Sequence, residues 1–117
     1  MKIYKNSKSK QFIVEKDYQR AVNEILEYVL KNKGIYFHLS EQKLFGIKGM
    51  PDIMANYRNG NGNIPFCIEL KIGKNKVSKE QKEMIEKLEV GGFLCGICYD
   101  NMENVFSFLR NVVKINI

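Results

Sequence analysis

The chemistry open to this chain is carried by Asp52, Glu69, Lys71 and Gln81. Asp52 follows Gly49-Met50-Pro51, and Glu69 and Lys71 close the apolar run Phe66-Cys67-Ile68-Glu69-Leu70-Lys71. Side chains alternate along a strand, so Glu69 and Lys71 share a face with Cys67, while Phe66, Ile68 and Leu70 share the other. A buried strand with an acid and a base on one face must satisfy both. A cation bridging Asp52 and Glu69 would do so and leave Lys71 for a third party such as a phosphate. Carboxylates within about 4–6 Å of each other raise each other's pKa, and a divalent ion removes that conflict. Oxygen-only ligands select hard cations, so Mg²⁺ or Mn²⁺ is expected rather than zinc. Such an ion can hold a scissile phosphate and acidify a bound water. Lys71 would then stabilise the pentavalent charge or orient and deprotonate the water. Plainer readings stand beside these. Glu69-Leu70-Lys71 also suits an ion-pair face on an exposed sheet, and Asp52 suits a turn after proline.

The elements that must position these residues are also legible. Two strand-like segments flank Arg58-Asn59-Gly60-Asn61-Gly62-Asn63, which predicts a β-hairpin. Tyr18, Val22, Ile25, Leu26, Val29 and Leu30 recur at spacings of three and four, predicting a helix over 15–33 with Gly34 as its stop. Glu15 opens that helix one turn before Gln19. It either looks toward whatever the helix packs on or complements the macrodipole. Residues 34–39 read as a strand, and 40–48 as a loop with Gly46 that leads through Gly49 to Pro51. A glycine there lets backbone approach a ligand closely. Ser78-Lys79-Glu80-Gln81 has the capping-box pattern, followed by the apolar stripe Met84, Ile85 and Leu88 and the stop Gly91-Gly92. A strand over 93–99 and a helix over about 101–112 follow. Residues 1–11 form a basic arm, loose or weakly paired, and 11–14 read as a short strand. The expectation is an α/β domain of order α-β-β-β-α-β-α, with a mixed central sheet flanked by helices.

Size and charge bound the function. A chain of 117 residues makes one domain, and 44% hydrophobic with 27% charged residues excludes wholesale disorder. The net charge of +6 favours a polyanionic partner, nucleic acid before an anionic membrane surface. Lys74, Lys76 and Lys79 follow Lys71 closely, as a solvated basic edge or as phosphate contacts. Cys67, Cys95 and Cys98 lie in apolar runs. A closed zinc site would need all of them plus His38, the lone histidine, so reduced buried thiols are the better reading. His38 packs or caps at a strand end, or takes part in catalysis. No apolar run spans a bilayer and no signal-peptide pattern opens the chain, so a cytoplasmic location is expected.

Gly49-x-Pro51-Asp52, Glu69-Leu70-Lys71 and Gln81 together resemble the PD-(D/E)xK nuclease superfamily. With Glu15-x-x-x-Gln19 opening the first helix, the chain looks most like its VRR-NUC branch. The likeness runs from Glu15 to Tyr99. It departs at 82–85, where many relatives carry an aromatic residue and this chain has none. The resemblance implies a restriction-endonuclease-like core. It implies Asp52, Glu69 and the Leu70 main-chain carbonyl as metal ligands, Lys71 as catalytic lysine, Glu15 as an acid from the first helix and Gln81 as a helix residue approaching the site. It implies a Mg²⁺- or Mn²⁺-dependent DNA endonuclease, structure-selective on branched DNA such as four-way (Holliday) junctions, without a small-molecule cofactor. Symmetric cleavage implies a homodimer, with Phe106 of the last helix a candidate at its interface. The alternative is a non-catalytic nucleic-acid-binding module, or a subunit of a repair or replication assembly. Acids on a DNA-facing surface repel phosphate, so Asp52, Glu69 and Lys71 together favour the enzyme.

Overall fold

The run that ends in Glu69-Leu70-Lys71 forms the central strand of a sheet. The computed structural model describes residues 2–6, 10–38, 47–60 and 62–117, without the side chains of 36–38. In chain order its elements are β1 (Lys2–Tyr4), α1 (Glu15–Val29), β2 (Gly34–His38), β3 (Ile53–Asn59), β4 (Gly62–Lys71), α2 (Lys79–Val90), β5 (Leu94–Tyr99) and α3 (Met102–Phe108). A π-helical turn, Leu109–Val113, continues α3. The five-stranded sheet has the order β1-β5-β4-β3-β2. β1, β5 and β4 run parallel, whereas β4, β3 and β2 form an antiparallel meander, so the sheet is mixed and the fold is α/β.

Side-chain parity along β4 decides which helix covers which face. Phe66, Ile68 and Leu70 join a core with Tyr18, Val22 and Leu26 of α1 and Val105 and Phe108 of α3. Cys67 points the other way and packs with Ile85 of α2 and Cys95, Ile97 and Tyr99 of β5. Residues 66–70 are buried throughout, as a strand covered on both faces requires. Hydrogen bonding to Cys95, and then burial, pushes the Cys67 thiol up, and burial pushes the Cys98 thiol up. All three cysteines are free thiols.

Several expectations change. The arm holds a strand: Lys2–Tyr4 pairs in parallel with Gly96–Cys98, so the order opens with β1. Residues 11–14 are not a strand, because β1 already occupies that edge of the sheet. Instead the Phe12 N–H donates to the Asp100 carbonyl at 3.1 Å, and its ring stacks on Tyr18. α1 stops at Val29 rather than Lys33, and the chain turns through Asn32 in the left-handed region at φ 63°. Most of the expected loop over 40–48 lies outside the described residues.

Gly49 has a specific task. Its φ is +84°, and a Cβ there would overlap the Glu80 carbonyl and lie 2.9 Å from the Gln81 nitrogen. The chain entering β3 therefore rests directly on the first turn of α2. Gly49→Ala combines a left-handed backbone with a backbone overlap. It is expected to destabilise the fold by about 2–4 kcal/mol in urea unfolding. A loss below about 0.5 kcal/mol would show that the contact gives way freely.

Candidate active site

The β3–β4 ladder runs from Asn59 opposite Gly62 to Ile53 opposite Ile68. Continued, the same register sets Asp52 opposite Glu69 and Pro51 opposite Leu70. Opposed residues of an antiparallel pair share a face, so this register, extended one residue past its last pair, sets the two acids on the same face. The ladder ends at the Ile53–Ile68 pair, and Pro51, having no N–H, could offer the Leu70 carbonyl no donor. The Asp52 side chain takes over, its Oδ2 accepting the Leu70 N–H at 2.8 Å. The N–H and C=O of one strand residue point to the same side. The Leu70 carbonyl therefore faces the same gap beside Asp52, where Pro51 has no donor to offer it.

Two helices reach this point. In α2 the capping box is formed: Ser78 Oγ accepts the Gln81 N–H at 3.1 Å, and Gln81 Oε1 accepts the Ser78 N–H at 2.9 Å. With its oxygen committed to the cap, the Gln81 amide turns its nitrogen to Glu69 Oε2 and donates at 2.7 Å. From α1, Gln19 Nε2 donates to Asp52 Oδ1 at 3.3 Å. Lys71 Nζ lies 3.9 Å from Glu69 Oε2, its side chain 13% exposed against 2% for Glu69. Asp52 is 6% exposed. Two carboxylates are thus withdrawn from water, a costly arrangement unless charge and hydrogen bonds compensate.

The Asp52 and Glu69 carboxylates with the Leu70 carbonyl form an all-oxygen donor set. It fits a hard cation of the Mg²⁺ type, which uses one or two carboxylates and keeps several waters. Among the described residues no group of three or more His, Cys, Asp or Glu side chains is placed to hold a metal ion. Glu15 stands in the acidic first turn of α1, and Gln19, one turn on, donates to Asp52. The signal for Gln19 was the Glu15-x-x-x-Gln19 spacing, which places both on one helix face.

The other expected site residues are placed as follows. Lys74, Lys76 and Lys79 are exposed on the loop and helix start after β4. That loop is tied down by the Tyr99 hydroxyl, which donates to the Asn75 carbonyl at 2.9 Å. Burial, then Asp100 and Glu69, push the Tyr99 pKa up, so the hydroxyl stays a donor. Gly49 makes its close approach to α2. His38 ends β2 opposite Ile53, and its side chain lies outside the described residues. Phe106 is half-buried against the core, with the Arg110 guanidinium 5.4 Å above its ring. Comparisons with protein-family models, curated proteins and solved structures returned no match.

The Gln81–Glu69 contact can be tested by charge. Gln81→Glu keeps the capping box but sets a carboxylate against Glu69. Mutual repulsion raises both folded-state pKa values, so the folded state binds more protons than the unfolded one. Stability should then fall as pH rises, with a loss of about 1–3 kcal/mol at pH 8 and less at pH 5. Mn²⁺ should recover part of the loss. Urea unfolding at both pH values reads this out, and parent-like stability at both would separate Gln81 from Glu69.

Proposed function

We propose that this chain is a divalent-metal-dependent nuclease that hydrolyses DNA phosphodiester bonds, with a restriction-endonuclease-like core. The observation that carries the reading is the broken ladder end. There Asp52 and Glu69 are both buried, Asp52 Oδ2 accepts the Leu70 N–H, and Lys71 Nζ lies 3.9 Å from Glu69 Oε2. A bound Mg²⁺ or Mn²⁺ supplies Lewis-acid polarisation of the phosphate and an acidified water. Asp52, Glu69 and the Leu70 carbonyl hold the ion. Gln19 and Gln81 fix the carboxylates through their amide N–H groups and so act as positioning residues. Lys71 brings its ammonium to the phosphate, where preorganised positive charge favours the transition state. The net charge of +6 supports a polyanionic substrate. Four-way junctions and other branched DNA are the proposed substrates, cut by a two-fold homodimer.

One observation favours the second reading, a binding module without catalysis. Both oxygens of Asp52 already accept from protein donors, as they would in a purely structural network.

Mn²⁺-dependent cleavage of linear, flap and four-way-junction DNA separates the two. Asp52→Asn and Glu69→Gln should abolish cleavage and Mn²⁺ binding by calorimetry, with circular dichroism unchanged. Lys71→Ala should lose about 10²–10³ in rate while still binding metal and DNA. A parent protein that binds DNA but cuts none of the substrates with Mn²⁺ would leave the binding module as the function.

A further inference from the structure

The N-terminal segment lays two lysines on the loop that follows Lys71. Lys5 Nζ donates to the Gly73 carbonyl at 3.3 Å and lies 4.7 Å above the Tyr99 ring. Lys10 Nζ sits where a Cβ on Gly73 would meet it at 3.3 Å. The chain next to each of these two lysines is held in place. β1 pairs with β5, Asn6 Oδ1 accepts from Asn101 Nδ2 at 2.9 Å, and Gln11 Oε1 accepts the Met102 N–H at 2.9 Å. Beneath the loop, Asp100 Oδ1 accepts the Gly73 N–H at 2.7 Å, so one buried carboxylate offsets part of the local charge. The two ammonium groups themselves lie on exposed residues. Each has three donors, and Lys5 spends one on Gly73, so donors remain for an anion.

Gly73 lies two residues beyond Lys71, at most about 7 Å along the chain. We propose that Lys5 and Lys10 form a phosphate subsite for the nucleotide adjoining the one held at Lys71, so that the N-terminal segment is part of the substrate track. The placement beside the scissile phosphate rests on the nuclease reading above. The phosphate contact itself does not. A solvated basic arm has no need of two lysines gathered on a single glycine, and a phosphodiester is the partner that relieves their repulsion.

The test is duplex binding in EDTA, with a fluorescein-labelled DNA oligonucleotide titrated over a range of salt. Lys5→Ala with Lys10→Ala should weaken binding about tenfold at low salt. It should flatten the log–log salt slope by about 0.9, the loss of one neutralised phosphate. Lys5→Arg with Lys10→Arg should restore both, showing that charge and not an unfolded arm is responsible. Lys31→Ala with Lys33→Ala, which removes the same charge beyond the end of α1, should leave the slope unchanged. Parent-like affinity and slope in the double alanine variant would overturn the proposal, as would equal flattening in the Lys31/Lys33 control. Cleavage with Mn²⁺ is measured on the same preparations. A lysine-dependent slope without cleavage keeps the subsite and removes the nuclease reading. Cleavage by the parent with an unaltered slope in the variant does the reverse.

Discussion

Where β3 gives way to Pro51, the Leu70 N–H loses its place in the ladder, and the Asp52 carboxylate accepts it at 2.8 Å. A buried backbone donor without a partner is costly, so something at this position must accept. That the acceptor is a carboxylate decides the rest of the site. It holds Asp52 at the sheet end at 6% exposure, opposite Glu69 in the extended register. Pro51, without an N–H, offers the Leu70 carbonyl no donor of its own. Proline and aspartate thus act as a pair, one withholding a donor and the other supplying a charged acceptor.

Two amides, those of Gln19 and Gln81, reach the carboxylates from outside the sheet. Gln81 is bound at both ends of its amide, to Ser78 on one side and Glu69 on the other. The start of α2 and the orientation of Glu69 are therefore set by one rotamer. Gly49 strengthens the link, because the chain entering β3 rests on the same first turn of α2. On the other side of the sheet, Gln19 extends from the helix whose Tyr18, Val22 and Leu26 are fully buried. Polar groups held by packed elements keep their geometry before any ligand arrives, as a catalytic or binding site requires.

What could be read from the sequence follows the range of the interactions. The hairpin, the capping box and the two apolar helix stripes depend on near neighbours and appear where periodicity places them. That Asp52 and Glu69 belong to one end of the β3–β4 hairpin was legible because a short hairpin fixes register, and register fixes faces. β1 was not, because its three residues gain strand geometry only from β5, far along the chain. In the Glu15-x-x-x-Gln19 pair, Gln19 forms an amide contact to the Asp52 carboxylate, a role that residue charge does not signal. Gly49 was read as room for a ligand, but its room is taken by α2.

Asp100 shows how these parts act together. It follows β5 with φ +67°, a conformation that favours glycine and that aspartate adopts at modest cost. Its N–H donates to the Lys71 carbonyl at 3.0 Å, its carboxylate accepts from Gly73, and its carbonyl accepts from Phe12. The end of β4, the basic loop and the N-terminal segment are joined at this one residue. All three lie at the carboxyl ends of the parallel strands β4 and β5, the end of an α/β sheet where ligands commonly bind. The strain at Asp100 is offset by hydrogen bonds to separate pieces of chain, so none of them moves without the others. The Lys71 carbonyl and the Gly73 N–H, whose carbonyl Lys5 also reaches, are thus tied to the same aspartate.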